Sequence, residues 1–471
     1  MRHVREMERP EDAGGEKRTR GYPTNELRQT EVIRVLLFRP GTELTILFKL
    51  SLTLGGLAIC NALLAVLMPW YIVTRLGVGI ETDAFFASGA LPQLIFLVAS
   101  FSLTQVLVPL LATEDERNFQ RDAWGFFLGV SGFFCLTAAI LFLTADYWVS
   151  LIVPGFSVGA RQLTITLSRI QLLSMIGNAS IVVLWSIYYA RQKFLWTELS
   201  SVFANAVSLL FLFWTLSRYG IVAAAWATVL NLGLKVAMLM PVLGRWKRPQ
   251  WNSYAMKEAW RRIKPFLLGQ TYAKSDPLID RFLTSLTTAG NLSLLYIGQQ
   301  LYSSINLITT KAISTPSVPR LAVAAKSGDW SQFRRIYRQR LFWMLGITVA
   351  VALGFFLTGE PLLRLLIGHG GITAENVYLL WWIMIALAGV LIGGAAGQVI
   401  SGAFYAIGDT RTPTMLFIGT FTIYVPIKIL VFLRYGVVGL AIVTSVHLAV
   451  NFLLQMLVLE RAVGRSAPGL S

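Results

Sequence analysis

Apolar runs of about eighteen residues or more recur along the whole chain, and each is long enough to cross the hydrocarbon of a bilayer as a helix. In lipid every backbone N–H and C=O must find its partner within the segment, so such runs become α-helices. The expected class is an all-α polytopic membrane protein of about twelve transmembrane helices. Spans are expected near 47–72, 84–111, 123–145, 165–190, 197–217, 220–243, 263–285, 293–317, 341–358, 377–403, 413–433 and 436–459. Composition agrees: 55% of residues are hydrophobic, 14% are charged and the mean hydropathy is +0.61, too apolar for a soluble surface.

The long polar stretch is residues 1–44, expected to be a disordered cytoplasmic tail whose end, Val32 to Phe38, lies along the membrane. It lacks the pattern of a signal peptide. The net charge of +17 therefore sits in loops and spans. Lys and Arg gather after the even-numbered spans, most densely from Arg245 to Lys264 and from Arg320 to Arg340. The loops after odd spans hold only Arg75, Arg161, Arg218, Arg364 and Arg434. This bias places both termini in the cytoplasm and explains the charge without nucleic acid. A basic linker at 246–262 and an interfacial amphipathic helix near Trp330–Arg338 are expected, with a cytoplasmic tail at 461–471. Cys60 and Cys135 fall in apolar runs and read as buried free thiols.

The two halves look like copies. Asp83–Ala112 lies over Ser293–Ala322 without a gap, at a spacing of 210 residues. Tyr188-Tyr189-Ala190 lies over Phe404-Tyr405-Ala406, and Arg218-Tyr-Gly-Ile-Val over Arg434-Tyr-Gly-Val-Val, both at 216. The repeat holds six spans, so both copies share one orientation: a lobe at 45–245 and a second at 263–460. Paired bundles related by an axis along the membrane normal are a transporter geometry, with the substrate between them near mid-bilayer.

Ionisable groups in hydrocarbon cost about 2.5–3.5 kcal/mol on insertion scales and face protein or water. The candidates are Arg169, Lys235, Lys274, Asp276, Asp280, Arg281, Lys311, Lys428 and His447. Asp276 and Asp280 stand one turn apart around Pro277, which favours a kink or gate hinge. Either Lys274–Asp276 and Asp280–Arg281 neutralise each other, or this wall contacts substrate or a coupling ion. Lys311 has no acid near it in sequence and favours an aqueous cavity with an anionic ligand. Arg169 and Lys428 lie nearer span ends and are expected to snorkel. His447 reads as a buried hydrogen-bonding histidine rather than a proton relay.

No nucleotide-binding loop, zinc-protease or nucleophile-elbow motif occurs, and no Cys/His metal spacing. No enzyme, cofactor or metal is expected.

Thr82-Asp83-Ala84-Phe85-Phe86, Pro154-Gly155-Phe156 with Leu167-Ser168-Arg169-Ile170, and Ile279-Asp280 with Leu283-Thr284-Ser285 resemble the MurJ/MviN lipid II flippases. So do Val318-Pro319-Arg320-Leu321 with Gly328-Asp329-Trp330, His369-Gly370 through Ala374-Glu375-Asn376, and Phe404-Tyr405-Ala406 before Asp409-Thr410-Arg411-Thr412-Pro413. These run in order from about 47 to 459 and point to the MOP exporter superfamily. The resemblance implies two six-helix lobes in a V, alternating access, and a polyprenyl-diphosphate-linked saccharide moved from the inner to the outer leaflet of the bacterial inner membrane. Arg75, Arg169, Asp280 and Arg411 match the family. Ala62 and Met68 replace its span 1 arginines, Leu94 to Val98 an arginine-rich Glu-Gly stretch, and Gln299-Gln300 its span 8 Asp-Arg pair. Two further C-terminal helices of the family have no counterpart in this sequence.

The expected mechanism places the diphosphate against Lys274, Arg281 and Lys311, with Arg169 nearby. Gln299, Gln300 and Asn306 hydrogen-bond sugars, while Asp276 or Asp280 couples a proton or sodium ion. The partners are the lipid-linked substrate (a lipid II-like precursor or an exopolysaccharide or O-antigen unit), membrane lipids and glycan-synthesis enzymes, with the chain acting as a monomer. Rival readings are a small-molecule exporter, which would want acidic cavity groups, and a non-transporting scaffold acting through its basic loops.

Overall fold

The computed structural model describes residues 42–112, 116–314, 316–368 and 372–466. The expectations for the N-terminal tail up to residue 41, for His369-Gly370 and for the last five residues lie outside the described residues. The chain divides into two units, Met1–Thr53 and Leu54–Ser471. Of the first, only the helix start at Thr42 is described, and the second carries all the other elements.

Every regular element among the described residues is helical. The first half comprises α1 (Thr42–Leu76), α2 (Ile80–Ser88), α3 (Ala90–Ala112), α4 (Glu116–Leu143), α5 (Ala145–Ile152), α6 (Val158–Ala190), α7 (Phe194–Tyr219) and α8 (Ile221–Leu239). The second comprises α9 (Tyr254–Ala273), α10 (Asp276–Ser285), α11 (Asn291–Thr309), α12 (Ser317–Lys326), α13 (Trp330–Ile367), α14 (Ala374–Ala386), α15 (Ala388–Ala406) and α16 (Arg411–Ser466). Among the described residues eight helices are long and apolar enough to cross a membrane, the last of them bent at Gly436 and covering the two final expected spans. The other expected spans, the second, seventh and eighth, fall on helices broken at Gly89, at Lys274–Ser275 and at a π turn over Thr310–Ser314. Broken helices at bilayer depth persist where protein or a water-filled space covers the freed backbone groups.

The repeat is written in the backbone. Gly220 (φ 56°, ψ −147°) ends α7, and Gly436 (φ 58°, ψ −144°) breaks α16, at the spacing of 216 residues. Both are left-handed turns that glycine adopts without a Cβ penalty. Ser157 caps α6 by accepting from Ala160 N–H, and Thr373 caps α14 by accepting from Asn376 N–H, again 216 apart.

Several boundaries are corrected. The amphipathic segment near Trp330–Arg338 is no separate helix: it runs unbroken into α13, because nothing between Trp330 and Ile367 stops a helix except Pro361 near its end. The linker at 246–262 becomes helical from Tyr254. Cys60 and Cys135 are free but exposed on outward-facing apolar surface, where lipid rather than protein surrounds an apolar residue.

Three hydrophobic cores locate the join. One combines Ile72, Phe85 and Leu216 from the first half with Leu292, Tyr302 and Leu440 from the second, at the end bearing the connections after odd spans. Toward the basic end the halves have separate cores, one around Leu107, Met175 and Ile187 and one around Phe333, Ile400 and Phe404. Span 7 crosses between them. Ala255, Ala259 and Ile263 of α9 belong to the first half's core, whereas α10 packs on α11 and α16 of the second half and also on α3 and α5 of the first. The span 7 helix is interrupted at Lys274–Ser275. Pro277 therefore sits in the first turn of α10, where its missing N–H is not needed, and kinks nothing internally.

Candidate functional site

Just beyond that break, Asp276 and Asp280 turn one face toward α16. Lys428 Nζ lies 2.6 Å from Asp276 Oδ1 and 2.5 Å from Asp280 Oδ1, and the lysine side chain is 0% exposed. Gln299 Nε2 donates to Asp280 Oδ2 at 2.7 Å, and Tyr424 Oη donates to Asp276 Oδ2 at 3.3 Å. The ammonium also stands 4.9 Å from the Tyr424 ring centre. This corrects two expectations. Lys428 does not snorkel, because two carboxylates and an aromatic face meet it in the protein interior. Neither Lys274–Asp276 nor Asp280–Arg281 forms a local pair, because both acids are taken by Lys428 from a helix about 150 residues away.

Arg281 is 3% exposed, its Nε has no hydrogen-bond partner among the described residues, and its guanidinium lies 5.4 Å from the Tyr296 ring centre. Tyr296 in turn stacks on Phe86 of the first half at 4.2 Å. His447 is buried, stacks on Tyr424 at 4.3 Å and lies 3.3 Å from Thr420 Oγ1. That is the packed, hydrogen-bonded setting expected of it.

Lys311, in the π turn, is not a lone cation. Its Nζ reaches Glu198 Oε1 of α7 at 3.2 Å, and its side chain remains 45% exposed. The partner was invisible in sequence because it comes from the other half, 113 residues away. Behind Glu198, Lys235 Nζ donates to Asn205 Oδ1 at 3.4 Å, and Asn231 donates to the same oxygen at 2.6 Å. Asn205 bonds onward to Asn61 at 2.5 Å. A polar file thus runs across α1, α7 and α8 to the edge of span 8. Lys274, in the span 7 break, is exposed.

At the opposite end the halves are latched. Asp83 is buried, and its carboxylate accepts from Gly290 N–H at 2.6 Å, Ser293 N–H at 2.8 Å and Ser293 Oγ–H at 2.5 Å. It caps the N-terminus of α11 across the interface, where exposed N–H groups and the helix dipole favour an anion. Gly155 packs so closely on this seam that a Cβ there would lie 2.1 Å from Ser285 O.

The remaining candidates lie apart. Arg169 pairs with Asp146 at 3.0 Å on a half-exposed flank beside Phe142, so the structure does not bring it to Lys311 or Lys428. Arg75 is exposed beside the Tyr71 ring. Asp409 caps α16 by accepting from Arg411 N–H and Thr412 N–H at 3.1 and 2.9 Å, which gives the Asp409–Arg411 motif a structural reason. Asn306 donates to Val390 O at 3.4 Å, while its own oxygen is buried with no hydrogen-bond partner among the described residues. Gln300 lines an apolar cleft of about 250 Å³ with Val66, Trp70, Leu301, Leu363 and Leu380. The residues that sequence reasoning missed are Glu198 and Tyr424. Glu198 carried one signal, a carboxylate at the edge of an apolar run near the basic end.

The arrangement leaves Lys274 and the paired Lys311 exposed, while hydrogen bonds to buried Asp83 join the halves elsewhere. It joins two kinds of ion pair, one dry and one open to water.

The family profile described as lipid II flippase MurJ matches residues 72–469. The chain is 22% identical over 435 residues to a probable lipid II flippase MurJ of Buchnera aphidicola, covering 87% of this chain and 83% of that protein. It is 23% identical over 438 residues to the probable lipid II flippase MurJ of Rhizobium meliloti, covering 87% and 79%. Among solved structures, a lipid II flippase MurJ in an inward closed conformation superposes with a TM-score of 0.75 at 18% identity, covering 88% and 87%. An inward-facing MATE transporter of the MOP superfamily gives 0.69 at 14% identity, covering 89% and 96%.

Proposed function

This chain belongs to the MurJ family of lipid II flippases, and we propose that it translocates a lipid-linked peptidoglycan precursor by alternating access between its two halves. As a family member it is a multi-pass protein of the bacterial inner membrane. Both termini and the basic loops face the cytoplasm in this reading, as the loop charges favour. The relatives are flippases of lipid II by name, which supports a peptidoglycan precursor over an exopolysaccharide or O-antigen unit.

The observation that carries the reading is the contrast between the two ends. The Asp83 latch shuts the outer end with three hydrogen bonds into one helix terminus. The Lys311–Glu198 pair at the basic end is a single contact, with the lysine side chain 45% exposed. An exposed pair is worth about 0.2–1 kcal/mol. A diphosphate, with more charge and more acceptor oxygens, displaces the Glu198 carboxylate from Lys311. Lys274 compensates the second charge, and Arg281, whose Nε lacks a partner, completes the set as the halves rock. Gln300 and Asn306 hydrogen-bond sugars, while the prenyl tail stays against apolar surface such as the cleft near Trp70 and Leu301. Gln299 is committed to Asp280. Moving two negative charges outward, away from a negative interior, gains about 4–5 kcal/mol per 100 mV. A cationic drug is a poor fit to a site whose exposed side chains, Lys274 and Lys311, are both cationic.

The test is leaflet transfer in vesicles containing the purified full chain and lipid II, read by headgroup accessibility to an external enzyme. Transfer that is faster with an inside-negative potential is expected. Transport of a cationic dye in place of lipid II would overturn the reading.

A further inference from the structure

We infer that Lys428 is a covalently tethered counter-ion that takes the place of a free coupling cation, so that this chain works without sodium. The inference deepens the flippase reading, on which its consequence for transport rests, by settling what Asp276 and Asp280 bind.

Asp280 is buried and Asp276 half-buried, and all four of their carboxylate oxygens are engaged. Lys428 takes one oxygen of each, Tyr424 the second of Asp276 and Gln299 the second of Asp280. A metal cation needs several oxygen ligands at once, and here three of the four oxygens accept hydrogen bonds while the fourth, Asp280 Oδ1, lies against the Lys428 ammonium. The charges also balance: Asp276 and Asp280 against Lys428 and Arg281. An added cation would leave one net charge in a low-dielectric interior, where uncompensated charge is strongly unfavourable.

The groups facing the cluster from span 8 and span 12 are Gln299, Tyr296, Thr444 and His447, and none supplies a further carboxylate. The lysine is no packing requirement of the bundle either. At the repeat spacing of 216 residues, fully buried Leu212 stands in the first half where Lys428 stands in the second. The pair has a mechanical consequence as well. It ties α10, which also packs on α3 and α5 of the first half, to α16 of the second just after the break in span 7.

The test is thermal melting of the purified full chain in sodium chloride against choline chloride at constant ionic strength. The wild-type melting temperature is expected to be the same in both. Lys428→Met exposes the two carboxylates to any cation that can reach them, and its melting temperature is expected to rise with the logarithm of sodium concentration. Adding Asp280→Asn to Lys428→Met leaves Asp276 balanced by Arg281 and is expected to abolish that dependence. A sodium-specific shift in the wild type overturns the inference, as does a folded Lys428→Met protein indifferent to sodium. Should Lys428→Met not fold, the wild-type comparison alone decides. No lipid substrate enters these measurements, so their outcome is independent of whether lipid II is the cargo.

Discussion

Asp83 and Ser293 occupy equivalent places in the two halves, 210 residues apart, and they touch: Asp83 Oδ1 accepts from both the amide and the hydroxyl of Ser293. The duplication thus brings its own copies together at the seam, and there they differ in chemistry. One copy is an acceptor with a full charge, and the other is a helix terminus with two donors. A symmetric pair of aspartates would repel.

Asp83→Asn keeps the shape but removes the charge and replaces one acceptor oxygen with a donor. Loss of a charge-assisted cap costs about 1–2 kcal/mol. If the halves part at this contact during transport, as alternating access requires, that cost shifts the population toward opening. A cysteine placed at Ser285 is expected to react faster with a membrane-impermeant maleimide in the Asp83→Asn background. An unchanged rate would mean the latch does not hold the outer end.

Gly155→Ala puts a methyl against the backbone oxygen of Ser285, a neighbour that cannot swing away as a side-chain tip would. Slower flipping and faster Ser285→Cys labelling are expected together, with expression little changed.

Glu198→Gln removes the carboxylate that competes for Lys311. Since the open pair is worth about 0.2–1 kcal/mol, anionic headgroups are expected to bind about 1.4- to 5-fold tighter. Titration of the purified protein with a soluble sugar diphosphate reads this directly. Weaker binding would show that Glu198 contacts the ligand instead.

Asp329 caps α13 in the loop outside the bilayer, accepting from Gln332 N–H at 2.8 Å and Ser331 Oγ–H at 2.7 Å. These bonds, the Gln332 amide first, hold its carboxyl below the usual range. A depressed folded-state value stabilises the fold above the unfolded value of about 4 and is lost as pH falls through the folded one. The difference in melting temperature between wild type and Asp329→Ala is therefore expected at neutral pH and to fade in acid below that range. A difference that persists unchanged there would assign the cap to packing.

Much of the architecture was legible in sequence because periodicity and glycine carry it. The Arg-Tyr-Gly motifs at 218 and 434 end in turns of the same hand, and the paired caps at Ser157 and Thr373 follow from the same register. The site was legible only in its list of charges. Lys428 looks peripheral because its sequence neighbours are apolar and the acids that bury it are on another span. Lys311 looks solitary for the same reason, since Glu198 reaches it from the other lobe. Local spacing places charges on helix faces, but only packing decides which face meets which.

The central claim is that the headgroup passes between the halves against Lys311, and lipid II transfer in proteoliposomes tests it most directly. Lys311→Ala is expected to lose most of the transfer rate and Lys311→Arg to keep it, with both proteins melting like the wild type. Full transfer by Lys311→Ala would contradict the account.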